Sequence, residues 1–305
     1  MISHPTKATR SVHHYRERAM AIIGQCRLYY ATLPLLAIIT GQIFAKNYNL
    51  AQLFFSSLSF IFIHCFESSV NNTYDTKGDR LSVIMGDKNP LVTGALTRRD
   101  AGIMNIVSLS LAIFTSLFAG LIWVMAILAI AALVVIYDLK PLRLKDTPFE
   151  ILIVPCYSCI PFLFSYLNST SNIILSPVIL FTFVFYYLNL ITDVRHVPDL
   201  ENDLQQYART FTVTFGAEAT RRLELAATIF TLVCFMLAVF FGFLSVIGLP
   251  LILVTTFFKM SFLVRKSDLL RNPQIWKRFS QVMIANNGAM MLSIIGTVLS
   301  VGLVR

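Results

Sequence analysis

"LFFSSLSFIFIHCFESSVNNTYDTKGDR", residues 53–80, joins one of the most apolar runs of the chain to an acidic, hydrophilic end. The apolar part, taken from 50 to 70, is long enough to cross a ~30 Å hydrocarbon core as a helix. Beyond it Asn71, Asp75 and Asp79 follow at i, i+4 and i+8, a spacing that puts them on one helical face. The pattern recurs where "VFYYLNLIT" (184–192) runs into "DVRHVPDLEND" (193–203), and Asp199 and Asp203 repeat the i, i+4 step.

Composition extends this reading to the whole chain. Of 305 residues, 56% are hydrophobic and 13% charged, and the mean hydropathy is +0.70. A soluble domain averages roughly 45–50% apolar and about 25% charged residues. Nine apolar spans are expected, at 25–45, 50–70, 102–119, 121–137, 150–168, 173–192, 222–243, 246–264 and 281–304. Gly120 turns between the third and fourth, and Gly248-Pro250 separates the seventh from the eighth. The expected fold is an all-α integral membrane protein of nine transmembrane helices in a bundle, with a cytoplasmic-facing cap of loops. It forms one domain over 1–305, and 1–24 is a basic cytoplasmic N-terminal segment. The first ~20 residues lack the apolar stretch and cleavage site of a signal peptide.

Lysine and arginine placement orients the bundle. With the N-terminus inside, segments 1–24, 71–101, 138–149, 193–221 and 265–280 carry nearly all 25 basic residues. The outer side has only Lys46 and Arg305, and Lys259 falls inside the eighth span. The net charge of +9 is thus a topology marker, and nucleic-acid binding is excluded. Basic groups at the inner surface also attract anionic membrane lipid or anionic substrates. The expected location is a multi-pass position in the membrane, the cytoplasmic membrane in a bacterial cell, with the acidic motifs facing the cytoplasm.

Stacked carboxylates repel one another, so their pairing makes sense when a cation sits between them. Two such pairs offer the hard oxygen ligands suited to Mg²⁺, which takes one or two carboxylates plus substrate phosphates. Either pair alone also reads as ordinary helix-end charge in water. The basic residues nearby (Lys77, Arg80, Lys88, Arg98, Arg99, Lys140, Arg143, Lys145 and Arg209) complement a diphosphate–Mg²⁺ complex.

These residues resemble the UbiA superfamily of intramembrane prenyltransferases. "NNTYDTKGD" (71–79) is similar to that family's N-D-x-x-D-x-x-x-D motif at Asn71, Asp75 and Asp79. "DLENDLQQYARTFTVTFG" (199–216) resembles its second motif at Asp199, Glu201, Asp203, Thr210, Val213 and Gly216. "YDLKPLRLK" (137–145) and "DKNPLVTGALT" (87–97) resemble two further loops. The sequence departs from the pattern at Asn72, where the family has an aspartate. It also departs at Tyr207, in place of a glycine, and at Arg195, in place of an asparagine.

The resemblance implies Mg²⁺ held by Asp75, Asp79, Asp199 and Asp203 with Asn71 assisting, these four aspartates being essential to catalysis. It implies an isoprenyl diphosphate bound by Lys140, Arg143 and Lys145, joined by Lys88 and Arg209, with Asn71 and Asn72 beside it. Tyr74, Tyr137, Tyr186 and Tyr187 are candidates to face the allylic carbocation. The implied reaction is Mg²⁺-dependent prenyl transfer to a lipophilic acceptor, either an aromatic quinone precursor or a polyene. Capture of the carbocation within the same molecule would make the protein a terpene cyclase, and an ion path would make it a transporter. No residue is assigned as the base, and no obligate protein partner is evident.

The remaining features carry little chemistry. The five cysteines, Cys156 and Cys159 of "CYSC" among them, read as packing residues. His13, His14, His64 and His196 are scattered and read as structural. Asn168 and Asn71 head glycosylation-like triplets that are discounted. Residues 264–279, with Trp276, read as a surface loop at the headgroup level.

Overall fold

A computed structural model describes residues 7–45, 49–81, 88–170, 178–179, 181–182, 184, 196–198, 200–265 and 272–303. All of its regular elements among these residues are helices. They are α1 (Lys7–Cys26), α2 (Thr32–Phe44), α3 (Leu50–Asp79), α4 (Arg98–Ala119), α5 (Leu121–Asp138) and α6 (Glu150–Ile153). α7 (Cys156–Ser169), α8 (Leu200–Gln205), α9 (Phe211–Phe215), α10 (Ala217–Phe240), α11 (Leu249–Leu263) and α12 (Pro273–Leu303) follow. Six stretches among the described residues are long and apolar enough to cross a membrane. They cover the first five expected spans and the seventh. The sixth expected span, 173–192, lies mostly outside the described residues.

α3 determines where the site lies. Asn49 caps it by accepting from the Gln52 N–H at 3.0 Å. Its 30 residues make a rod of about 45 Å at 1.5 Å per residue, well beyond a ~30 Å hydrocarbon core. The apolar span expected to end at residue 70 therefore continues unbroken as helix through the acidic motif to Asp79. α4 starts at a reciprocal cap between Thr97 and Asp100, which satisfies two otherwise orphaned N–H groups. Gly120 closes it at φ 124°, a backbone region open to glycine, and Asn168 covers the turn by donating to the Ala119 carbonyl at 2.8 Å. Trp123 of α5 is fully buried against α3 and α4 and donates to Ser59 Oγ at 2.6 Å.

Close approach of helices uses small residues, since lipid gives helices no hydrophobic reason to associate. A Cβ at Gly41 of α2 would fall 2.6 Å from the Phe162 carbonyl oxygen and 2.9 Å from the Tyr166 nitrogen of α7. A second core gathers Leu33, Phe162, Phe181, Phe235, Ile252 and Met290. Lys259, the cation within the eighth span, is fully buried and pairs with Glu224 at 2.6 Å, tying α11 to α10.

Three expectations shift. The first span is broken at Arg27, whose φ is 46°, and a single 3₁₀ turn (Leu28–Ala31) precedes α2. The fifth divides at Pro155 into α6 and α7. The last helix begins at Pro273, so Trp276 and Phe279 are not in a surface loop. Phe279 is buried with Val197, Ala217 and Leu263, and the Trp276 ring packs against it at 5.8 Å. Apolar contact with the segment carrying the second motif makes this stretch helical, which local charge alone does not predict.

Candidate active site

The last turns of α3 present Asn71, Asp75 and Asp79 toward the loop after α5. That loop turns sharply, with Arg143 at φ 36° heading the 3₁₀ turn Leu144–Asp146. The turn sends Lys145 back into the bundle, where its ammonium bridges two carboxylates. It contacts Asp75 and lies 2.9 Å from Asp138 Oδ1. Asn71 Nδ2 donates to the same Asp138 oxygen at 3.0 Å. Asp138 is fully buried, and its other oxygen, Oδ2, has no hydrogen-bond partner among the described residues. Arg143 reaches Asp75 at 3.4 Å and Asp146 at 2.5 Å. Burial alone would lower the Lys145 ammonium, but Asp75 and Asp138 beside it hold it above its ordinary value. The lysine is therefore a fixed positive charge.

Asp79 is also mostly buried and accepts from Asn89 Nδ2 at 2.7 Å. Asn89, fully buried, donates to the Asn72 carbonyl at 2.9 Å and accepts from the Leu91 N–H at 3.0 Å. It thereby ties the 88–97 loop to α3. Asn72 points away from this cluster. Its Nδ2 donates to Gln25 Oε1 at 3.0 Å, and its Oδ1 accepts from Arg27. The amide that departs from the family pattern is thus bonded to the end of α1.

The second motif meets the first through α8 and the turn after it. Gln206 packs so closely on Gly78 that a Cβ there would overlap its side-chain amide. The Arg209 N–H donates to the Asp146 carbonyl at 2.7 Å, which joins the second motif to the Lys145 loop. Asp203 Oδ2 lies 3.0 Å from His196 Nδ1, and His196 Nε2 lies 3.3 Å from Glu150 Oε2. Thr210 caps α9 by accepting from the Val213 N–H at 3.3 Å. Tyr207 stands at φ 56°, the left-handed region that favours glycine, which accounts physically for a glycine at this place in the family's pattern. Asp199, Arg195, Tyr186 and Tyr187 lie outside the described residues.

Asn71, Asp75, Asp79, Arg143 and Lys145 thus form one polar end of the bundle, with buried Tyr137 beside Asp138 and with Asp203 on the adjoining segment. Lys88, Lys140 and Arg209 have exposed side chains, as does Tyr74. Among the described residues, no three His, Cys, Asp or Glu side chains converge as a metal cluster. The donor set of single carboxylates and an amide beside fixed cations fits a hard ion that shares its shell with phosphate oxygens.

Asp138, Asn89 and Glu150 were not singled out by the sequence, and His196 was read there as structural. Asp138 and Asn89 stand inside the "YDLKPLRLK" and "DKNPLVTGALT" stretches, next to a tyrosine and a lysine of more evident chemistry. His196 has no spacing that predicts its place between Glu150 and Asp203.

The UbiA prenyltransferase family matches over residues 31–288. Among solved structures, a UbiA homologue from Archaeoglobus fulgidus bound to DMAPP and Mg²⁺ aligns with TM-score 0.64 at 21% identity, covering 90% of this chain and 99% of that one. An apo UbiA homologue from Aeropyrum pernix K1 aligns with TM-score 0.70 at 15% identity, covering 91% and 99%. A digeranylgeranylglyceryl phosphate synthase aligns with TM-score 0.65 at 16% identity, covering 92% and 99%. At these identities the likeness establishes the fold. No curated protein matches the chain.

Proposed function

Because the chain belongs to the UbiA prenyltransferase family, we propose that it transfers a prenyl group from an allylic isoprenyl diphosphate to a lipophilic acceptor inside the membrane. The observation that carries this is the polar end of the bundle. There the Asp75–Lys145–Asp138 cluster, the Asp79–Asn89 contact and the second motif meet at the aqueous end of apolar helices. The A. fulgidus homologue's complex with DMAPP and Mg²⁺ supports both the substrate class and the metal.

In this reading Asn71, Asp75, Asp79, Asp199 and Asp203 hold Mg²⁺. The bound ion supplies Lewis acidity that neutralises the departing diphosphate. Lys145 and Arg143, already held among carboxylates, give charge-assisted hydrogen bonds to diphosphate oxygens, and Lys140, Lys88 and Arg209 add positive charge at the mouth. The allylic C–O bond breaks with its electron pair leaving on the diphosphate. The cation that remains lies among apolar helices, where water is excluded and aromatic faces such as Tyr137 stabilise it. An aromatic or polyene acceptor carbon then supplies the electron pair of the new C–C bond. The site faces the cytoplasm, following the lysine and arginine distribution.

The test incubates membranes containing the protein with geranyl, farnesyl or geranylgeranyl diphosphate and Mg²⁺, with and without added lipid extract. Mg²⁺-dependent diphosphate release together with a prenylated lipid is expected. Absence of any Mg²⁺-dependent release with all three would overturn the proposal.

A further inference from the structure

We propose that Glu67, held by His64, is the proton acceptor that completes the reaction. The inference rests on the prenyl-transfer reading above and names a group that neither acidic motif contains. Glu67, Asn71, Asp75 and Asp79 follow one another at four-residue steps, so they share one face of α3. Glu67 is the innermost of the four. It lies about 12 Å from Asp75 along the helix axis, at 1.5 Å per residue, in the direction of the bilayer centre. A prenyl chain whose diphosphate rests at Asp75 and Asp79 would run past it.

The surroundings place Glu67 inside the bundle and not against lipid. It lies within electrostatic reach of Asp138 on α5, Tyr157 on α7 and Arg27 ahead of α2. Yet its side chain keeps 23% of its surface accessible, so it borders open space. The phenol of Tyr157 is buried with no hydrogen-bond partner among the described residues, a second polar group with bonding capacity to spare in the same region. Ionisable side chains at this depth are costly and characteristically functional.

The hydrogen bonds define a proton inventory. His64 Nε2 lies 3.2 Å from the Arg27 carbonyl. A carbonyl only accepts, so Nε2 carries a hydrogen. His64 Nδ1 then faces Glu67 Oε2 at 3.2 Å, and a proton must lie between two atoms that would otherwise oppose lone pairs. Ser68 Oγ donates to the same Oε2 at 3.2 Å. Oε1 makes no hydrogen bond among the described residues. The pair thus holds one bridging proton; with that proton on His64 Nδ1, Glu67 is a carboxylate fixed through Oε2, and Oε1 is the oxygen left to accept.

The step balances. Once the acceptor's π electrons have formed the C–C bond to the allylic cation, the adduct carries one positive charge and one surplus proton. Oε1 takes that proton, and the C–H electron pair restores the π system. The proton leaves to water at the aqueous end of the same helical face. If the cation is captured internally, the same transfer ends a cyclisation.

The experiment uses the full chain in membranes with radiolabelled geranylgeranyl diphosphate and Mg²⁺, the host membrane lipid serving as acceptor pool. Diphosphate release is measured beside the partition of prenyl label between coupled or cyclised product and prenyl alcohol. Glu67→Gln is expected to keep diphosphate release and its KM near wild type, while coupled or cyclised product falls about 10²-fold or more. The label should then move to prenyl alcohol as water captures the cation. Glu67→Asp is expected to restore part of the product, and His64→Gln to lose part of it. The inference is overturned if Glu67→Gln retains product within about threefold of wild type, since general base catalysis contributes far more than this. It is equally overturned if release and product disappear together, which would mark the pair as a structural tie to the Arg27 turn. A wild-type protein that releases no diphosphate would instead fail the prenyl-transfer reading itself.

Discussion

Replacing Lys145 by Met is the sharpest test of how the site's charges are balanced. The substitution keeps a long side chain and removes the cation that Asp75 and Asp138 share. Asp138 is fully buried and Lys145 nearly so, while Asp75 retains a second cation, Arg143, at 3.4 Å. Removing one partner of a buried pair leaves an uncompensated charge, and such losses run to about 3–5 kcal/mol. Partial opening of Asp75 to water puts Lys145→Met toward the lower end of that range, at about 3 kcal/mol. Adding Asp138→Asn removes the stranded carboxylate and keeps an oxygen to accept from Asn71. The double variant should therefore regain much of the loss, giving a coupling of about 1–3 kcal/mol. The assay is equilibrium unfolding in mixed micelles, followed by tryptophan fluorescence from buried Trp123, for wild type, both single variants and the double. Additive single effects, or a Lys145→Met protein within about 0.5 kcal/mol of wild type, a size typical of surface changes, would refute the reasoning. Catalysis is expected to remain lost in the double variant, because the diphosphate has still lost its cation.

Further outcomes follow from the placement of single residues. Asp75→Ala, Asp79→Ala and Asp203→Ala, with Asp199→Ala, should each lower Mg²⁺-dependent turnover by about 10²-fold or more without preventing membrane insertion, and retained turnover in two of the four would count against a shared ion. Tyr207→Gly should stabilise the protein by about 1 kcal/mol, because a left-handed tyrosine gives way to a residue at ease there. Equal unfolding midpoints for the two proteins would show that the φ of 56° carries no strain. Asn72→Asp should leave the Mg²⁺ titration of the initial rate unchanged, since its side chain bonds Gln25 and Arg27, and a shifted curve would place position 72 in the metal's surroundings. A cysteine at position 75 should be labelled only from the cytoplasmic side of sealed cells, and outer labelling would reverse the topology.

The approximate positions of the first five apolar spans and the seventh, and the shared helical face of Asn71, Asp75 and Asp79, were legible in the sequence. Each follows from local rules: apolar length against bilayer thickness, and a 3.6-residue period. The turn at Gly120 belongs to the same class, because backbone chemistry is local, whereas the division at Pro155 was not expected from the sequence. Tertiary structure decided which polar groups meet. Nothing near Asp138 in the chain shows that Lys145 folds back to bridge it to Asp75, seventy residues away. Nor does the sequence show that Asn72 faces α1, that His196 falls between Glu150 and Asp203, or that His64 reaches Glu67 while the carboxyl stays partly accessible. A buried polar atom must find a partner wherever the packing of distant helices offers one. That packing, being set by apolar surfaces and small residues such as Gly41 and Gly78, leaves no periodic trace at the polar positions it brings together.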